Sequence, residues 1–294
     1  MTEQKVAFVT GCTTGTIGFS YCEGLLKRDF IVYATSRSVA SIQGLDHPNA
    51  KILALDVTSD EQVTSVVEKI INDHGHIDLL INNAGVLAPG AVLDCTTEEI
   101  KQIYDVNVFS MLRVAKAVVP HMAKRREGII INMGSIVGEF PTPWMGIYDS
   151  SKAAVRIMTE ILSLECRPFS IHVMLVAPAS IQSPMVARHD NYQLPADSLY
   201  QDFSRNIRER LDAGKDSDVV MPTEAFTEEI LTKALGSRNP PAYILTGGKS
   251  WMFRLMAYLP RKWVLNIVWG MFSKPGEKAK GSWFLLVSLH RGVG

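Results

Sequence analysis

Tyr148-Asp149-Ser150-Ser151-Lys152 opens a stretch with helical periodicity, and the i to i+4 spacing sets the phenol and the ammonium one turn apart on one face. A free phenol, with a pKa of about 10, is a poor base at neutral pH. A neighbouring cation stabilises the phenolate and draws that value toward the working range, so Tyr148 is a candidate acid and base. Ser135 ends the run Ile129-Ile130-Ile131-Asn132-Met133-Gly134-Ser135, and its hydroxyl can bond an oxygen on which charge develops. Asn107, flanked by Val106 and Val108 in a helical stretch, can hold a water that extends a proton relay from Lys152. Taken singly, such residues are mostly structural; their joint order and spacing favour chemistry.

A second group lies near the start of the chain. Thr10-Gly11-Cys12-Thr13-Thr14-Gly15-Thr16-Ile17-Gly18 follows a strand pattern and opens a helical one. Glycines in such a turn let backbone amides approach a pyrophosphate, and the helix start adds a positive dipole end. The second strand ends Ala34-Thr35-Ser36-Arg37, with no carboxylate before Asp46. Arg37 would attract a 2′-phosphate where an Asp would repel one, which points to NADPH over NADH. Asp56-Val57 would receive an adenine edge. Asn82-Asn83-Ala84-Gly85 ends the fourth strand, where small residues let backbone pass close to a ribose. As isolated instances, these are also ordinary turns and solvated cations.

The elements that must position both groups are legible as alternation. Continuous apolar runs at 5–10, 31–34, 51–55, 77–82, 128–133 and 171–176 read as strands covered on both faces, with 243–246 as a last one. Helical periodicity fills 17–28, 60–73, 98–126 and 146–167. This predicts α/β units around a parallel sheet of about seven strands. Residues 183–219 interrupt the pattern as a polar, lid-like insertion containing the helical stretch 199–211. The expected organisation is one catalytic domain over 1–250 and an apolar extension over 251–294.

Acidic and basic residues balance at 30 each, so no net field draws the chain to nucleic acid or to an anionic membrane, and recognition is left to local sites. Four scattered cysteines with no C-x-x-C pair or His cluster indicate reduced thiols and no metal site. The first residues enter a strand pattern with no apolar leader, so a cytoplasmic protein is expected.

Over residues 5 to about 246 the chain resembles a classical short-chain dehydrogenase/reductase. The resemblance rests on the Gly-rich turn, Asp56, Asn82-Asn83-Ala84-Gly85, Asn107, Ser135, Tyr148 and Lys152, in order and with a thirteen-residue step from Ser135 to Tyr148. It implies a Rossmann-type doubly wound sheet, reversible ketone/alcohol chemistry with NADP(H), and a catalytic tetrad on Asn107, Ser135, Tyr148 and Lys152. The cofactor would meet Gly11, Thr13, Thr14, Gly15, Ile17, Gly18, Ser36, Arg37, Asp56, Val57, Asn83, Ala84, Gly85, Tyr148 and Lys152. Two departures stand out. The glycine turn is one residue longer than T-G-x-x-x-G-x-G, with Thr16 where a glycine might stand. After the sixth strand the usual Pro-Gly is Pro178-Ala179, which puts Ile181 against the carboxamide and Ser183 in place of a Thr. The nine-residue turn, Glu165-Cys166-Arg167-Pro168-Phe169 and the apolar tail are further similar to fungal 1-acyldihydroxyacetone-phosphate reductases and to relatives in fungal secondary metabolism.

The tail from Trp251 to Phe272 alternates aromatics and aliphatics with Arg254, Arg261 and Lys262, and Pro260 should split it into two short helices. Neither half reaches the roughly 20 apolar residues that span a bilayer. A peripheral membrane contact, at the endoplasmic reticulum or a lipid droplet, and an amphipathic lid over the cleft or against another subunit stand side by side. Ser282–Leu289, after a linker at 274–281, is a further apolar segment. The Val137 to Gly146 loop offers a mostly apolar wall without clustered cations, and Arg188 and His189 could meet one phosphate. A bulky, lipid-like ketone and a homo-oligomeric enzyme are therefore expected. The rival readings are NAD-dependent alcohol oxidation, a nucleotide-binding regulator without turnover, and an isomerase or cyclase using the same pocket.

Overall fold

The computed structural model describes residues 4–185, 192–212 and 220–273. Seven strands form one parallel sheet: β1 Val6–Thr10, β2 Ile31–Ser36, β3 Ala50–Ala54, β4 Leu79–Asn82, β5 Gly128–Met133, β6 Ile171–Pro178 and β7 Tyr243–Thr246. Their order is β3-β2-β1-β4-β5-β6-β7. The order reverses between β1 and β4, so the loops after these two strands diverge at their carboxyl ends and leave a crevice there. All-parallel pairing requires helical crossovers on both faces, which is why the strands are apolar throughout rather than alternating.

Helices α1 Ile17–Leu26 and α7 Thr223–Leu235 cover one face, with Phe19, Leu25, Phe226 and Ile230 packed on Val9, Ile81 and Met174. Helices α2 Asp60–His74 and α4 Ser110–Arg125 cover the other, where Val63, Ile70, Val114 and Val118 meet Phe8, Leu80 and Ile130. The predicted helix 98–126 is interrupted. Helix α3 Thr97–Tyr104 starts on a Thr96/Glu99 capping box, then Asp105–Phe109 form one wider π turn before α4 continues. Such a turn holds one residue more than the α-helical register allows, and Asn107 sits within it.

Helix α5 Gly146–Cys166 spans the predicted 146–167. The insertion contains a 3-10 turn, Gln201–Phe203, leading into α6 Ser204–Asp212. Pro260 divides the tail into α8 Ser250–Met256 and α9 Arg261–Phe272. Val264 and Val268 of α9 and Met256 of α8 are buried with Ile136, Phe140 and Leu245. Trp144 joins the 137–146 loop to both the insertion and the tail, with its ring 5.2 Å from Phe203, 5.6 Å from Tyr200 and 6.1 Å from Trp269. Its indole N–H donates to the Phe272 carbonyl at 2.9 Å. The tail therefore packs as a cap on the lid, while Trp251, Leu255, Tyr258 and Trp263 remain exposed on its outer side. Arg188, His189, the linker at 274–281 and Ser282–Leu289 lie outside the described residues.

Candidate active site

The Gly-rich turn is built around φ values that only glycine adopts freely. Gly11 has φ +75°, and a Cβ there would lie 2.8 Å from the Ala84 Cα, so the turn and the strand-end segment after β4 touch backbone to backbone. Asn83 reinforces that contact by donating its side-chain amide to the Thr10 and Gly11 carbonyls at 2.9 and 3.1 Å. The backbone N–H groups of Asn83 and Ala84 both donate to the Thr10 hydroxyl at 3.0 Å.

Thr16 takes the helix-cap position. Its hydroxyl accepts from Phe19 N and donates to Thr13 O at 2.6 Å, which absorbs the extra residue of the lengthened turn. Its role was unread in the sequence, although a Thr three residues before a buried helical Phe is a cap signal.

One cleft is lined by Gly11, Thr13, Ile17, Ser36, Arg37, Asp56, Val57, Asn83, Ala84 and Gly85, and also by Thr16, Thr58, Gln102 and Asp105. Most of the cofactor candidates thus meet in one place. Three serve the turn itself. The Thr14 hydroxyl bonds both backbone groups of Gln43, Gly15 has φ +78° with open space where a Cβ would stand, and Gly18 packs against Asn83 and Gly11. Arg37 is exposed at the rim, and its charge helps hold Asp56 below the usual carboxylate range. The principal cause of that depression is Thr58, whose N–H and hydroxyl donate to Asp56 at 2.9 and 2.7 Å. Asp46 does not line this cleft. The open glycine turn, the amide-rich strand ends and a cation at the end of β2 suit a dinucleotide carrying a 2′-phosphate.

An adjoining cleft shares Ile17, Asn83, Gly85, Ser183 and Met185 with the first and contains Ser135, Tyr148, Lys152, Pro178, Ala179 and Ile181. Tyr148 and Lys152 stand one turn apart on α5, with the ammonium 5.8 Å from the ring centroid. Ser135, following β5, lines this cleft with Tyr148, and its hydroxyl accepts from Val137 N at 3.4 Å. Lys152 donates to the Met133 carbonyl at 2.8 Å. Asn107 accepts from Val86 N at 2.8 Å and donates to Val86 O and the Ser151 hydroxyl at 2.9 and 3.0 Å. A Cβ on Gly85 would lie 3.3 Å from Asn107 Oδ1, a tight contact, and 3.7 Å from Lys152 Nζ, an ordinary one, so the segment after β4 passes close to both side chains.

The electrostatics differ from the expectation of a depressed phenol. Burial pushes the Tyr148 phenol up to about 12, against the opposing effect of Ser135. Burial likewise lowers the Lys152 ammonium to about 8. Desolvation is the leading influence on the phenol, Ser135 and the Arg210 charge oppose it, and the phenol stays protonated. That suits a proton donor.

Two residues in this cleft escaped the sequence reading. Thr142 and Arg210 line it together, and Arg210 reaches it from α6, sixty-two positions after Tyr148. The expected wall without clustered cations therefore gains one half-buried cation from the insertion. A carboxylate at 149, on the buried side of α5, was the available signal that a polar partner must be near. The other predicted wall residues divide: Met145 lines the cleft, whereas Phe140 and Trp144 pack behind it. Among the described residues no group of three or more His, Cys, Asp or Glu is placed to hold a metal, and no helix is long and apolar enough to cross a membrane.

A profile of the family described as short chain dehydrogenase matches residues 5–193. Among curated relatives, the short-chain dehydrogenases PC-15 of Penicillium crustosum and ptmH of Penicillium ochrochloron are each 33% identical over 244 residues, covering 82% of this chain and 88% of their own. A 3-ketodihydrosphingosine reductase of Bacteroides thetaiotaomicron is 38% identical over 181 residues, covering 62% of this chain and 65% of its own. Among solved structures, a short-chain dehydrogenase from Streptomyces avermitilis superposes with a TM-score of 0.78 at 24% identity, covering 93% of this chain and 98% of its own. One from Burkholderia cenocepacia, in complex with NADP, gives 0.71 at 25%, covering 93% and 99%. The chain belongs to the short-chain dehydrogenase family, and is an oxidoreductase acting on CH–OH groups.

Proposed function

We propose that this protein is an NADPH-dependent reductase of a bulky, mainly apolar ketone. One observation carries the reading: Ser135, Tyr148 and Lys152 line one cleft that shares Ile17, Asn83 and Gly85 with a groove lined by the Gly-rich turn and Arg37. The groove residues Gly11, Thr13, Ile17, Asn83, Ala84 and Gly85 would hold the cofactor backbone, Asp56 and Val57 the adenine, and Ser36 with Arg37 the 2′-phosphate. Pro178, Ile181 and Ser183 would border the carboxamide. NADPH, when bound, supplies a hydride to the carbonyl carbon. Ser135 orients the carbonyl oxygen and Tyr148 donates the proton to it. Lys152, with Asn107 and a water beside it, returns a proton to the phenolate. The NADP complexes of several neighbours, among them the Burkholderia protein, support this choice of cofactor.

The substrate side is lined by Ile136, Val137, Met145, Leu211, Phe253 and Phe272, which favours an aliphatic or polycyclic body over a small polar metabolite. A ketone of the acyl-dihydroxyacetone phosphate kind and a fungal secondary metabolite both fit that description. The relatives named as fungal dehydrogenases and as a ketosphingoid reductase agree with it. The outer surface of α8 and α9 supports delivery from an anionic membrane surface. Trp251, Leu255, Tyr258 and Trp263 are exposed there, residues 249–273 contain Lys249, Arg254, Arg261 and Lys262, and no carboxylate occurs between 230 and 276. The exposed row Ile157, Ile161 and Leu164 along α5 supports a second copy as partner.

Following NADPH consumption against acyl-dihydroxyacetone phosphates, long-chain ketones and polycyclic ketones tests the reading. Turnover with at least one hydrophobic ketone class is expected. Consumption confined to small polar carbonyls, or equal use of NADH, would overturn it.

A further inference from the structure

The reductase reading leaves Arg210 unexplained. Its guanidinium sits in the ketone-side cleft beside Thr142, Tyr148 and Ser135, and it does not line the nucleotide groove, where the cofactor's phosphates belong. Its Nε and Nη2 both donate to one acceptor, the Thr142 hydroxyl, at 3.3 and 3.1 Å. That hydroxyl donates in turn to Asp149 Oδ2 at 3.0 Å, while Thr142 N donates to the same oxygen at 2.6 Å. The ring of Phe272, the last residue of α9, supports the guanidinium from the tail at 4.9 Å.

Arg210 is thus held from two sides, yet its charge meets no carboxylate within ion-pair distance among the described residues. Asp149 bonds to Thr142 rather than to Arg210, so it attracts the guanidinium by charge without direct contact, and its other oxygen is buried without a hydrogen-bond partner. Five N–H donors on a fixed fork, used here on a single neutral oxygen, leave most of the donor capacity unspent. Holding a cation in apolar surroundings without a direct counter-charge is costly. Such an arrangement is stable in function when a ligand brings the missing anion.

Resting on the reductase reading, we propose that Arg210, positioned by Thr142 and Phe272, is a specificity residue that binds an anionic oxygen group of the ketone substrate, a carboxylate or a phosphate monoester. The substrate is then an amphiphile, with its apolar body against Ile136, Val137 and Phe253 and its anion on the lid.

Matched pairs of ketones separate this proposal from the reading beneath it. The carboxylate arm compares 4-oxodecanoate with its methyl ester, and the phosphate arm compares an acyl-dihydroxyacetone phosphate with the dephosphorylated acyl-dihydroxyacetone. For each, KM is measured with NADPH, and Kd is measured by calorimetry on the NADP+-loaded protein, which needs no turnover. The wild type should prefer the charged member of at least one pair. Arg210→Gln should raise the charged-to-neutral ratio of KM, and of Kd, by about tenfold or more, the size expected for a lost charge-assisted hydrogen bond. Arg210→Lys should recover part of that loss. Which arm responds identifies the anion. The proposal is overturned if wild-type protein binds charged and neutral members alike, or if Arg210→Gln weakens both equally. Reduction of neutral ketones in that case leaves the reductase reading standing.

Discussion

The Lys152 ammonium donates to the Met133 carbonyl at 2.8 Å, tying helix α5 to the end of β5, two residues before Ser135. One hydrogen bond therefore fixes the relative positions of the strand that carries Ser135 and the helix that carries Tyr148. It also keeps the ammonium in the interior, where burial lowers its pKa to about 8.

This makes Lys152 the group that sets the alkaline limb. If its charge is needed to re-supply protons, kcat/KM for ketone reduction should fall with a midpoint near pH 8, well before the phenol's own value of about 12. The same shift has a stability consequence of opposite sign. An unfolded lysine holds its proton up to about 10.5. Between roughly 8 and 10.5 the unfolded chain binds more protons, so the contribution of Lys152 to stability rises as pH climbs through that window. A pH–rate profile flat to pH 10 would remove Lys152 from the relay.

Arg37→Asp should invert cofactor preference, because a carboxylate there repels the 2′-phosphate and can accept ribose hydroxyls instead. Titration of NADPH and NADH against wild type and variant checks this. An unchanged NADPH affinity would make Arg37 a bystander at the rim.

Gly18→Ala should destabilise the fold by about 1–3 kcal/mol and weaken NADPH binding. Its Cβ would lie 2.4 Å from Asn83 Nδ2 and 2.5 Å from Gly11 O, so the turn or the strand-end segment must move. Urea denaturation and cofactor titration measure the two effects. Wild-type values in both would mean that the turn is looser than its packing implies.

How much of this was readable in advance follows from the range of each signal. The strands were visible because burial on both faces forces unbroken apolar runs such as Ile129-Ile130-Ile131, and α5 because its periodicity is long. The π turn was not, since one extra residue at Asp105–Phe109 leaves the composition of a helix unchanged; only Asn107 among valines hinted at it. Ser135, Tyr148 and Lys152 were legible because the fold places them within seventeen residues and two adjoining elements. Arg210 was not, because its approach depends on how the lid and tail pack, through contacts such as Trp144 with Phe203 and Trp269 that no local pattern encodes. The rise of the Tyr148 pKa is unread for a related reason: spacing shows a lysine one turn away but not the burial that governs the phenol.

The exposed aromatics of the tail give a prediction about location. Replacing Trp251 and Trp263 together by Ser should lower co-sedimentation with anionic phospholipid vesicles by about tenfold. Turnover of a water-dispersed ketone should change far less, because Val264 and Val268, which seat α9, are untouched. Equal sedimentation of wild type and double variant would confine the tail to its capping role.

In the proposed reduction the Tyr148 phenol donates the proton to the carbonyl oxygen. Single-turnover hydride transfer from NADPH in Tyr148→Phe tests it most directly, since the substitution removes one hydroxyl and leaves the ring packed in the cleft. The rate should fall by about 10² or more while NADPH affinity stays within about twofold of wild type. A variant that transfers hydride at close to the wild-type rate would contradict the account.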